Sequence, residues 1–154
     1  VDVKWINPFI EAFMHVMPQL GFQTIEKSAV TLGQGKIKSA GVIMNLGIVG
    51  ELTGNVVYNI EMETAKGIAS KMMMGMPVAE LDEMAQSAIS ELSNMLTANA
   101  SINFSKMDIS TNISTPTLMY GTDFEVMVNM PKYVCVEMNA DGLALQINVA
   151  VRSQ

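Results

Sequence analysis

A chain of 154 residues, 49% hydrophobic and 16% charged, has the composition of a folded protein and the length of one domain, able to bury about 70% of its unfolded surface without staples. Its net charge of −6 and nine scattered basic residues, with Lys36 and Lys38 the nearest approach to a patch, exclude nucleic acid and acidic membrane surfaces as partners. A lone cysteine, Cys135 in apolar "KYVCVEM", excludes a disulfide framework and points to a buried, unreactive thiol in a reducing cytoplasm.

The N-terminal "VDVKWINPFIEAFMHVM" spreads charge and bulk evenly, so no signal peptide is expected. Trp5, Ile6, Phe9, Ile10, Phe13, Val16, Met17 and Leu20 recur at helical spacing and predict an amphipathic helix ending before or near Pro18. Two starts fit it: Asn7 as the cap with Pro8 in the first turn, or Asp2 as an earlier cap. From 22 to 60, "FQTIEKSAVTL", "SAGVIMNLGIV" and "LTGNVVYNIE" predict three strands, the last two joined by a tight turn near Gly50. "SAGVIMNLGIVG", the longest uncharged stretch of this half, is too short to span a membrane. "GQG" at 33–35 is a turn and not a phosphate loop, because no helix opens after it.

"METAKGIASKMMMG" predicts a helix ending at Gly75, with the methionines of "KMMMGMP" packed at its end and Pro77 just beyond. No proline or glycine interrupts residues 78–107, which predict the longest helix. Strand formers then fill "DISTNISTPTLMYGTDFEVMV", "KYVCVEMN" and "LALQINVAV", broken by Gly121, Pro131 and the "NADG" turn at 139–142. Each half reads as a helix followed by strands, which suggests a duplicated unit of about 70 residues. The expected fold is α+β, a mixed and largely antiparallel sheet with helices packed on it, in a single domain over 1–154.

On the long helix, at about 100° per residue from Glu91, the residues Leu81, Met84, Ala85, Ala88, Ile89, Leu92, Met95, Leu96 and Ile102 fall between about 20° and 160°, the predicted buried stripe. Asn99 falls inside that arc, where a hydrogen bond to backbone is expected in place of a catalytic role. Ser87, Asn94, Ala98 and Ser101 fall beside Glu91, and Glu91 and Asn94 are neighbours one turn apart. Short side chains, Ser87, Ser90, Thr97, Ala98 and Ser101, surround the pair, where idle exposed positions carry long Lys, Glu, Gln or Arg. Such a face lets another protein's surface come close.

The pair is no self-sufficient active site. An amide neither titrates nor attacks, and no histidine, cysteine or second acid stands beside the carboxylate. An amide does position a water, its oxygen accepting from the water while its nitrogen donates elsewhere. Phosphoryl hydrolysis needs that positioning, with charge stabilisation supplied by other groups. His15, the one histidine, is expected on helix surface without a partner, and no metal site is expected.

"LDEMAQSAISELSNMLTANA" resembles the signature helix of the CheC/CheX/FliY family of bacterial chemotaxis phosphatases, in which a Ser or Asp is followed four residues later by Glu, three later by Asn, and some twenty residues on by Pro. Here those positions are Ser87, Glu91, Asn94 and Pro116. The resemblance extends through "GIVGELTGNVVYNIEMETAKGIASKMMMGM" and so covers most of the chain. It implies a CheC-like fold and, as substrate, the aspartyl phosphate of a CheY-like response regulator. The regulator would bring the phosphorylated Asp, magnesium and a Lys. Glu91 would pair with that Lys, Asn94 would orient the attacking water, and Ser87, Ser90 and Ala98 would form the docking face. In the first helix, "NPFIEAFM" places Met14 three residues after Glu11, where the motif needs Asn. That implies a single site and a CheX-like protein, whose relatives are homodimers. The alternative is a non-catalytic adaptor that docks a regulator or a flagellar switch component; a sensor with a Met-lined pocket ranks below it.

Overall fold

The computed structural model describes residues 3–153. Among these residues there are three α-helices and nine strands, in the order α1 (Asn7–Gln19), β1 (Ile25–Gly33), β2 (Lys36–Lys38), β3 (Gly41–Gly50), β4 (Leu52–Glu61), α2 (Met62–Met72), α3 (Glu83–Ser105), β5 (Thr111–Ile113), β6 (Thr117–Tyr120), β7 (Glu125–Met127), β8 (Tyr133–Ala140) and β9 (Leu143–Ser153). The fold is α+β, and every strand pairing is antiparallel.

The main sheet runs β1-β8-β9-β4-β3-β5, with β6 also paired to β3. Its centre is two hairpins, β3–β4 and β8–β9, joined through β4 and β9. Each hairpin is flanked by strands from the other half of the chain: β1 pairs with β8, and β5 and β6 pair with β3. The helix-then-strands repeat is therefore interlocked, and neither half closes its own sheet.

Period-2 alternation sorts the strands' side chains between two cores. Val42, Met44, Leu46, Tyr58, Val136 and Ile147 face the helices, where they meet Phe13, Ile68, Leu92 and Leu96. Ile43, Val57, Tyr133 and Ala150 face the other way, under a two-stranded ribbon of β2 and β7 that inserts Ile37 and Val126. The expectation of three strands before residue 60 missed β2. Three residues between turns give little periodicity, and β2 exists because β7, far away in sequence, pairs with it.

Helix α1 contains Pro18 in its last turn, one step past its predicted limit. A proline there forfeits only one hydrogen bond, and Gly21 and Phe22 close the end by donating to the carbonyls of Pro18 and Met17. The helix starts at Asn7 with Pro8 in its first turn, but Ile6 occupies the cap position and no side chain caps it. The alternative cap, Asp2, lies outside the described residues. Helix α2 ends at Met72, three residues before the predicted Gly75, because Met74 already takes a left-handed conformation. Met72 and Met73 pack on the core, while Met74 is 96% exposed, so only part of the methionine run serves packing.

Candidate functional site

Helix α3 is the longest helix, and its position is set from both ends and from beneath. Asp82 caps it by accepting a hydrogen bond from the Ala85 amide at 2.9 Å, which satisfies one of the free N–H groups of the first turn. At the far end, Asn103 donates to the Pro8 carbonyl at 2.9 Å, and the Phe104 ring meets Phe9 edge-on at 5.7 Å. The start of α1 thus lies against the end of α3, and the two helices run antiparallel across the sheet. Beyond α3, the Glu51 amide donates to the Ser110 carbonyl, anchoring the exit loop on the β3–β4 turn. That contact requires Gly50: a Cβ there would sit 2.6 Å from the Ser110 oxygen, and its φ is +118°.

Beneath the middle of the helix, the Thr97 hydroxyl bonds the Tyr58 hydroxyl at 2.8 Å and donates to the Ser93 carbonyl at 2.7 Å. Ser93, Thr97 and Tyr58 are all buried, and desolvation holds the Tyr58 phenol far above its ordinary pKa, against the smaller opposing effect of its bond to Thr97. It stays protonated at any physiological pH, so this contact is a fixed peg between sheet and helix.

These contacts correct the predicted buried stripe. Ala85, Ile89, Leu92, Ser93, Leu96, Thr97, Ala100 and Phe104 are the buried residues, an arc from about 100° to 240° around Glu91. Met84 and Ile102, assigned to the core by their hydrophobicity, are instead 61% and 53% exposed. Thr97, assigned to the short-chained outer face, is inside. Neither size nor polarity alone marks the true face, since Ser87, Ser90 and Ala98 on the outer side are as small as the Ala, Ser and Thr residues inside. Ala85, Ser93, Thr97 and Ala100 are small and allow a helix to sit close on a sheet between two neighbours.

Glu91 and Ser87 are exposed, and Asn94, Ser90 and Ala98 are half-buried beside them. Neither the Glu91 nor the Asn94 side chain has an intramolecular hydrogen-bond or ion-pair partner among the described residues. An exposed carboxylate and an adjacent amide, on a backbone pinned at both ends, are free to engage an incoming surface. Ser101 belongs to the flank of this face and bonds Thr111 of β5 at 2.7 Å. Pro116 lies in the link between β5 and β6, strands that pack against α3. Asn99 is half-buried and its partner is a side chain, Asn103 at 3.5 Å, not the expected backbone group. His15 is exposed but not alone: its Nε2 lies 3.4 Å from the Gln19 amide one turn on.

The other polar features lie away from this face. Cys135 is half-buried on β8 and burial pushes its thiol pKa up, the reverse of what a nucleophile needs. Among the described residues, no three His, Cys, Asp or Glu side chains are grouped to hold a metal ion, and no helix is long and apolar enough to cross a membrane.

Residues 42–138 match the family model for the chemotaxis phosphatase CheX. The CheY-P phosphatase CheX of Thermotoga maritima is 35% identical over 147 residues, covering 92% of this chain and 94% of that one. Among solved structures, a CheC-like superfamily protein from Shewanella sp. PV-4 superposes with a TM-score of 0.87 at 19% identity, over 99% of this chain and 100% of the other. The CheX–CheY–BeF3–Mg complex from Borrelia burgdorferi contains a chain that superposes with a TM-score of 0.82 at 22% identity, over 99% and 100% of the two chains.

Proposed function

This chain belongs to the CheX family of chemotaxis phosphatases, and we propose that it hydrolyses the aspartyl phosphate of a CheY-like response regulator in the cytoplasm. The observation that carries this reading is the outward pair on α3, Glu91 and Asn94, one turn apart and without internal partners. In this mechanism the regulator supplies the phosphorylated Asp, the magnesium bound beside it and a Lys. Glu91 pairs with that Lys and fixes the docking. Asn94 enters the regulator's pocket, where its Oδ1 accepts a hydrogen bond from a water and its Nδ2 donates to the regulator. The water is then held in line with the phosphorus, so the O–P bond to water forms as the bond to the Asp carboxylate breaks, returning the free carboxylate and inorganic phosphate. No covalent intermediate forms on this chain. Half of the active site belongs to the regulator, which accounts for the absence of an acid–base partner beside Glu91.

The whole of 1–154 acts in this reading as one CheX-like domain, working as a homodimer. Support for a second copy comes from β1, an outer strand whose middle residues, including Val30 and Leu32, are exposed. An apolar groove of about 280 Å³, lined by Ile6, Ile10, Val30 and Leu32, runs between that edge and α1. An open edge strand with apolar side chains is a surface that proteins cover.

The test is the decay of phosphorylated CheY-like regulators from the same organism, with magnesium, in the presence of wild type, Asn94→Ala, or neither. Faster decay with wild type alone is expected, Asn94→Ala losing about 10²–10³-fold, the scale of one preorganised transition-state contact. Glu91→Ala is expected to lower affinity as well as rate. Binding with no acceleration for any regulator would overturn the phosphatase reading in favour of an adaptor.

A further inference from the structure

The surface of α3 holds more than the Glu91–Asn94 pair. Met84 and Ile102 are large, apolar and more than half exposed, and both lie within about 20° of Glu91 around the helix. Between them, Met95 and Ala98 are half-buried on the same line. At a rise of about 1.5 Å per residue, Met84 stands about 10 Å and Ile102 about 16 Å from Glu91 along the axis, on opposite sides. Beside Ile102 lies an open groove of about 400 Å³, walled by Ile102 and Ile109 and rimmed by Ser105, Asp108, Ser110 and Thr111. The groove continues the same face past the last turn of the helix.

Nothing inside the molecule accounts for these side chains. The core beneath α3 is closed by Ile89, Leu92, Leu96 and Phe104 without them. Exposing a Met and an Ile on a helix otherwise fringed by Ser and Ala forgoes the burial free energy that such residues supply elsewhere. Together they stretch about 27 Å, close to the width of a protein–protein contact of about 800 Å² per partner. An apolar residue at each end and a charged and amidic centre is also the layout in which docking energy and chemistry are kept apart: the ends grip, and the middle works on the phosphoryl group.

The geometry points to an apolar docking strip for the response regulator, formed by Met84, Met95, Ile102 and the groove beside Ile102, gripping it on both sides of Glu91 and Asn94. The strip rests on the phosphatase reading for the identity of its partner. It acts through affinity, and the water-positioning step does not depend on it. Loss of the strip therefore raises the regulator concentration needed for half-maximal rate and leaves the maximal rate in place.

The experiment compares Met84→Ser, Ile102→Ser and the double variant with wild type and with Met127→Ser, a control exposed on β7 across the sheet. Two quantities are measured for each: affinity for the regulator activated with beryllofluoride and magnesium, and the dephosphorylation rate at saturating regulator. Each single change on α3 is expected to weaken binding by about tenfold and the double by about 100-fold, as for apolar anchors in other interfaces, with the saturated rate within about twofold of wild type. Met127→Ser is expected to change neither. Unfolding curves matching wild type, as expected for exposed positions, show that the fold is intact. Affinity of the double variant within twofold of wild type overturns the strip while the phosphatase reading stands, as does an equal loss in Met127→Ser. If wild type neither binds nor acts on any regulator, both readings fall together.

Discussion

Helices α1 and α3 lie antiparallel on one sheet, touch through Phe9 and Phe104, and present outward lines of the same spacing. On α1 the line is Asn7, Glu11, Met14 and Pro18; on α3 it is Ser87, Glu91, Asn94 and Ala98, all of them exposed or half-buried. The carboxylate is present on both. The amide is present on α3 alone, with Met14 in its place on α1. The residues bracketing the carboxylate differ as well: α1 is too short to carry counterparts of Met84 and Ile102, and the positions at the same spacing, charged Lys4 and core-buried Phe22, lie beyond its two ends. Duplicating a fold therefore does not duplicate a site. The packing face of a helix is held by the shared sheet, whereas an outward face changes at no cost to the core.

Several substitutions break or sharpen that comparison. Phe104→Ala removes the aromatic contact by which the two helices hold each other, and a loss of about 3–5 kcal/mol is expected in denaturant unfolding at neutral pH. Asn94→Met gives α3 the side chain that α1 carries. It should reduce dephosphorylation by about 10²–10³-fold while regulator affinity stays within a few-fold of wild type. The reciprocal Met14→Asn tests whether an amide alone makes a site. At regulator concentrations well below saturation, less than about twofold change in rate is expected, because without apolar brackets α1 holds the regulator too weakly; a clear gain there would mean that α1 is one substitution from activity and the docking strip dispensable.

The ends of the two helices differ too. Asp82→Ala deprives α3 of its cap and should cost about 1 kcal/mol in thermal or denaturant unfolding, whereas α1 has no side-chain cap to lose. The exit of α1 is instead tied by Asp141, whose carboxylate accepts from the amides of Thr24 at 2.8 Å and Gln23 at 3.1 Å. The Thr24 bond and then the Gln23 bond depress its pKa below the ordinary 3.8. A carboxylate whose pKa is lowered by folding stabilises the protein above its unfolded pKa, and that contribution fades as pH falls through the folded one. The melting temperature of wild type should therefore drop more steeply than that of Asp141→Asn as pH is taken below 3.8. Equal slopes would mean that solvent already screens this exposed tie.

Reading the sequence located the elements whose signals are local. Helical periodicity with an interruption-free run marked α3, Gly50 marked the β3–β4 turn, and Asp141–Gly142, both at positive φ, form the turn read from "NADG". The grouping of strands into hairpins marked an antiparallel sheet. The motif residues were legible for the same reason: Ser87, Glu91 and Asn94 sit within two turns of one helix, so their spacing alone places them together. The stripe on α3 was read correctly at Ala85, Ile89, Leu92 and Leu96, and what failed were inferences at its margins that depended on what lay across from a residue. Hydrophobicity sent Met84 and Ile102 inward and Thr97 outward, and the strand β2 was missed.

The sequence by itself determined that this chain forms an α+β fold with a long helix bearing a carboxylate and an amide on one side, because backbone propensity and helical spacing are properties of neighbouring residues. Only the tertiary structure decided which side of that helix faces water. The sheet, α1 and α2 together cover the sector that runs from Leu92 round to Thr97, and the Tyr58–Thr97 hydrogen bond ties the helix to the sheet at that rotation. That rotation turned two apolar side chains out beside Glu91, and hydrophobicity read along one chain has no term for it.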